Sequence, residues 1–93
     1  MPYIKKEDRI TLDYSIEALA ISISTYDGIA GRFNYSISRM IDIILGQRGL
    51  NYANVNEIVG ALECIKLELY RRIASPYEDK KIEENGDVYN ENV

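Results

Sequence analysis

Between Asn54 and Ala74 the apolar residues Ile58, Leu62, Ile65, Leu69 and Ile73 recur at spacings of four, three, four and four. An α-helix turns about 100° per residue, so only a helix puts these five side chains on one face. A helix over residues 55–74 is therefore the element around which the chain must be built. Asn54 is a natural N-cap for it, and Glu57 three residues later completes a capping-box pattern. The opposite side is also short of charge, because Gly60, Cys64, Leu67 and Ala74 cluster there. A helix that is apolar or small on two sides is commonly packed on both. Those four residues are expected at a contact with another subunit, or under the N-terminal arm of the same chain.

Two more segments carry a helical period. Leu12, Ile16, Leu19, Ala20 and Ile23 predict a helix over 12–25, capped by Asp13. Its end, Ile21 to Tyr26, alternates and is β-branched, so a short strand is the competing reading. Tyr26 to Gly31 reads as a turn. Phe33, Ile37, Met40, Ile41 and Ile44 then mark a helix over 32–45, stopped by Gly46 and followed by a loop to Tyr52. After the long helix, Ser75-Pro76-Tyr77-Glu78 reads as a fresh start with a cap and a proline in the first turn. A short charged helix over 76–84 follows, and residues 85–93 form an extended or disordered tail behind Asn85-Gly86. The expected fold is all-α, a single helical domain over 1–93 with a small three-helix core.

A core made by 93 residues is modest and invites reinforcement. One cysteine and no histidine leave neither a disulfide nor a zinc site to provide it. Assembly into a homo-oligomer is the remaining route. Cys64 is then a small core or interface residue rather than a reactive thiol.

The same composition bears on chemistry. Without histidine the usual general acid or base near neutral pH is missing, and the glycines fit neither phosphate-loop nor dinucleotide spacing. No catalytic residue, metal ligand or cofactor is expected, and a carboxylate pair such as Asp42 with Glu63 has nothing in the sequence to bring it together. The net charge of −4 lies wholly beyond Ser75, where six acids meet two lysines; residues 1–74 balance. Non-specific nucleic-acid binding, which needs a basic stripe, is not expected. No apolar run suits a membrane span or a signal peptide, so a cytoplasmic location is expected.

Eight tyrosines are many for so short a chain. Tyrosine joins a flat apolar ring to a polar tip and suits interfaces and ligand pockets. On the second helix Asn34 and Tyr35 accompany Arg39, which is expected to flank the apolar stripe. On the third, Lys66 lies beside the seam, with Tyr70 and Arg71 one turn beyond. An arginine fork holds a phosphate and a tyrosine ring stacks on a base, so these six are the candidate site for a small anionic ligand. Ion pairing on a solvated face is the competing role of the cations.

Met1-Pro2-Tyr3-Ile4, Asn34-Tyr35-Ser36-Ile37, Asn56-Glu57-Ile58-Val59-Gly60-Ala61-Leu62-Glu63, Lys66-Leu67-Glu68-Leu69-Tyr70-Arg71-Arg72, Pro76-Tyr77-Glu78-Asp79-Lys80-Lys81 and Asn85-Gly86-Asp87-Val88-Tyr89 resemble a family of short uncharacterised domains. Its members occur in bacteriophages, prophages and environmental bacteria, and it carries no catalytic motif to transfer. The resemblance implies a small phage-type protein, a class that includes inhibitors of host defence. By analogy, one expected function is a sponge that sequesters an anionic nucleotide immune signal. The alternative is an adaptor or inhibitor that acts on a protein partner through the acidic C-terminal tail.

Overall fold

The computed structural model describes residues 4–89. The chain is all-α: α1 is Lys6–Thr25, α2 is Ile29–Arg48, α3 is Tyr52–Leu69, a π-helical turn occupies Tyr70–Ala74, and α4 is Ser75–Asn85. No strand occurs among the described residues. Contacts divide the chain into two units, Met1–Ile58 and Val59–Val93, with the division falling inside α3. The part of the expected tail at 90–93 lies outside the described residues.

In the first unit, α1 starts six residues ahead of the Leu12 where the apolar period begins. Glu7 and Asp8 in its first turn favour the positive end of the helix dipole, which carries the helix through a polar stretch. Asp13 is therefore interior rather than a cap, and Lys5 at the N-cap makes no side-chain bond. The alternating Ile21–Tyr26 stretch stays helical as far as Thr25, whose hydroxyl donates back to the Ile21 carbonyl at 2.6 Å. Gly28 then turns the chain with φ +84 and ψ +46, and its carbonyl accepts the Arg32 N–H at 3.0 Å. α2 therefore begins at Ile29, three residues before the position its apolar stripe suggests.

Gly46 does not stop α2. The stop is Gly49, at φ +107 and ψ +140, whose N–H closes on the Leu45 carbonyl. The next start is built by two asparagines. Asn51 Oδ1 accepts the Asn54 N–H at 2.8 Å, so Asn51 is the true cap of α3. Asn54, expected as the cap, instead sits in the first turn and donates from Nδ2 to the carbonyls of Arg48 and Gly49 at 3.2 and 2.9 Å. A Cβ on Gly49 meets only ordinary contacts at 3.7 and 4.0 Å, so the demand for glycine there comes from the backbone. Gly49→Ala should cost about 1–3 kcal/mol for holding that conformation, read as a lower thermal midpoint.

In the second unit the helix does not break at proline. Ser75 is helical at φ −64 and ψ −48, makes no side-chain cap, and donates its N–H to the Tyr70 carbonyl. Pro76 has no N–H and its ring crowds the carbonyl four residues earlier. Widening the preceding turn to an i→i−5 bond relieves that crowding without a break. The wider turn also changes which residues align. Four residues of α-helix advance 400° and drift by about 40°, whereas a π turn lags behind this. Ile73 and Tyr77 therefore stay in line with Leu62, Ile65 and Leu69, and Ala74 leaves the line of Gly60, Cys64 and Leu67.

No described residue is buried in either unit. In the first unit Ile37, Ile41, Leu45, Val55 and Ile58 are half-buried. In the second, the seam residues from Leu62 to Tyr77 remain 40–62% exposed. A narrow apolar strip needs a facing layer to enclose it, and neither unit supplies one by itself. No helix is long and apolar enough to cross a membrane.

Candidate functional site

The six candidate ligand residues fall three in each unit. Asn34, Tyr35 and Arg39 belong to α2. Asn34 Oδ1 accepts the Ser38 hydroxyl at 3.4 Å, and Arg39 Nη1 pairs with Asp42 Oδ2 at 3.4 Å. At about 100° per residue Arg39 stands about 200° from Ile37, on the side of Tyr35. It therefore does not flank the apolar stripe, because two helical steps from a stripe residue lead to the polar face.

Lys66, Tyr70 and Arg71 belong to the second unit. Lys66 Nζ meets Glu63 Oε1 at 3.4 Å, and Arg71 Nη2 meets Glu68 Oε2 at 3.9 Å. Arg72 shares Glu68 at 3.5 Å. Lys66 and Tyr70 border the apolar line, whereas Arg71 points to the opposite side with Gly60, Cys64 and Leu67. Lys66, Tyr70 and Arg71 are all exposed, so the ion pairs of Lys66 and Arg71 are individually weak. Cys64 is an exposed free thiol in the chain by itself.

The carboxylates considered for metal chemistry are each engaged locally, Asp42 with Arg39 and Glu63 with Lys66. No group of three metal-ligating side chains occurs among the described residues.

A groove of about 380 Å³ in the second unit lies between α4 and the start of the tail, lined by Lys81, Ile82, Asn85, Val88 and Tyr89 among others. None of the candidate ligand residues lines it. Gly86, at φ +87, ends α4, and an Asx turn from Asp87 Oδ1 to the Tyr89 N–H directs the chain onward. Val88 and Tyr89 stay 83% and 71% exposed, so this part of the tail is not anchored by side-chain burial.

Two cationic contacts escaped the sequence pattern: Lys81 Nζ lies 5.5 Å over the Tyr77 ring, and a closer one stands at the α1–α2 turn. The Arg32 guanidinium lies 4.5 Å over the Tyr26 ring while its Nε donates to the Asp27 carbonyl at 3.2 Å. A single residue thus ties together both sides of the α1–α2 turn, a contact of about 0.5–1 kcal/mol at an exposed site. The signal was present as an arginine four residues after a glycine whose carbonyl it caps.

Compared with known proteins, the chain matches over residues 1–88 one family model, described as a domain of unknown function (DUF6899). No curated protein and no solved structure matches it.

Proposed function

We propose, from the premise that the chain belongs to the DUF6899 family, that it is a non-catalytic binding protein that works as a homo-oligomer and captures a small anionic nucleotide at its subunit seams. The observation that carries this reading is the open apolar line of the second unit, with Lys66 and Tyr70 along its border. Covering that line with another subunit would bring a cation and a stacking ring to the edge of the contact, where a phosphate and a base could be gripped together. Arg71 lies behind that line, and in the first unit Tyr35 with Arg39 and Asn34 on α2 supply similar residue types by themselves. The resemblance to phage-borne domains extends the reading to an anti-defence sponge in the host cytoplasm.

Native mass spectrometry against cyclic and ADP-ribose-type nucleotides tests it. The expected result is a defined oligomer that gains ligand mass in whole-number steps. The triple variant Arg39→Ala, Lys66→Ala, Arg71→Ala should lose that mass gain while its helical circular dichroism persists. Unchanged affinity in the triple variant would remove this site.

A second reading, a protein-interaction part acting through the acidic end, is favoured by the exposure of Val88 and Tyr89 beside Glu78, Asp79, Glu83 and Glu84. A protein that stays ligand-free across the panel would favour this reading, with a basic protein surface as the partner.

A further inference from the structure

The helical run from Val59 to Asn85 carries charges beside its apolar line in an order that suits its own reverse. One flank presents Glu63, Lys66, Glu78 and Lys81; the other presents Glu68 and Arg72. When two identical helices pair antiparallel about a two-fold axis, each flank meets the same flank of its mate running backwards. A sequence acid-base-acid-base read against its own reverse places every charge opposite its counterpart.

We propose that this helix pairs antiparallel with the same helix of a second copy of the chain, with the two-fold axis at the level of Arg71. Leu69 then faces the second copy's Ile73, and Ile65 faces its Tyr77. Along one flank Glu63 opposes Lys81 and Lys66 opposes Glu78; along the other Glu68 opposes Arg72. The symmetry repeats each of these pairings.

The π turn is what makes this register apolar along its centre, because it holds Ile73 and Tyr77 in the line of Ile65 and Leu69. Within one chain Glu63–Lys66, Glu68–Arg72 and Lys81–Glu84 are already close, at 3.4, 3.5 and 3.1 Å. These exposed pairs are individually weak, and opposing them joins them into networks, which contribute more than isolated pairs. An antiparallel register shifted toward the N-terminus, with Leu62 on Leu69, also keeps apolar residues at its centre but sets Lys66 against the second copy's Lys66. Charge therefore selects the Arg71 register. In that register Lys66, opposite Glu78 of the second copy, stays at the edge of the seam beside Tyr70, where the anion of the ligand proposed above would exchange for the carboxylate.

The inference rests on the self-association proposed above and adds its geometry. Sedimentation equilibrium of the full chain in low salt tests it with Glu63→Lys, Lys81→Glu and the two combined. Each single variant creates two symmetric like-charge contacts and should raise the dissociation constant about tenfold. The combined variant should recover most of the loss, and the differences should shrink at about 1 M salt. Both positions are exposed, so helical circular dichroism at matched assembly controls for folding. Singles that assemble like the wild type, or a combined variant no better than the singles, would overturn this register while leaving self-association standing. A wild-type chain that sediments as a monomer would overturn both.

Discussion

Leu69→Asp is expected to abolish assembly and, at micromolar concentration, to remove most of the helical signal of residues 59–85. Leu69 is the middle residue of the apolar line and is 51% exposed in the chain by itself. A carboxylate there would have to enter the proposed seam; Lys66 and Arg72 flank it three residues away, but each is already engaged with a glutamate, and burying a charge in an apolar contact costs several kcal/mol. It would also stand beside Glu68, adding a like charge to the same turn. An isolated helix is marginal in water because its nucleus is costly, so loss of the seam removes what holds the helix. Leu69→Ala separates the causes. Alanine is the best helix former, so that variant should weaken assembly while keeping more helix at equal assembly than the aspartate does. The two measurements are sedimentation and far-ultraviolet circular dichroism over a dilution series. Full helicity and full mass in the aspartate variant would mean that this face is solvated, and the proposed seam would fall.

Pro76→Ala should act in opposite directions on helix and assembly. Replacing the ring that the wider turn accommodates by alanine favours α geometry there, by up to about 3 kcal/mol for a helix interior. The π turn then loses its cause and reverts to α geometry. Every residue beyond it rotates by up to one residue step, about 100°, which carries Tyr77 off the apolar line. The variant should therefore show slower amide exchange around residues 72–76, with assembly weakened about tenfold by the loss of the Ile65–Tyr77 contact. Tighter assembly would show that Tyr77 takes no part in it.

The all-α class could be read from spacing alone, because the line from Ile58 to Ile73 admits no other periodicity. The helix ends could not, and the reasons are local. Asn51 and Asn54 are both good caps by residue type, and only the placement of the α2 carbonyls decides that the first caps α3 while the second bonds backward. Gly46 and Gly49 look alike as stops, yet only the second takes a positive φ. Pro76 reads as a restart because proline usually ends a helix, and a widened turn is the less common solution to the same clash. Arg39 follows a simpler rule: adjacency in sequence to Ile37 and Met40 is not adjacency on a helix surface. For the candidate site, the residue types were legible, but what covers the apolar faces is not written in one chain's local pattern. A half-exposed seam looks the same in sequence whether its cover is another helix of the chain or another molecule.

Under the proposed pairing, the absence of any buried residue among those described would tie the life of this chain to its abundance. A folded domain with its own core keeps its structure at any dilution, whereas helices that need a mate hold only when mates are present. For a dimer, each tenfold rise in concentration adds up to about 1.4 kcal/mol to the assembled state. At low copy number the backbone would open often enough for proteases to clear it. Past a threshold the population would protect itself and persist. Under the proposed pairing such a gene product would behave as a dose switch: inert while scarce, durable once expressed in quantity.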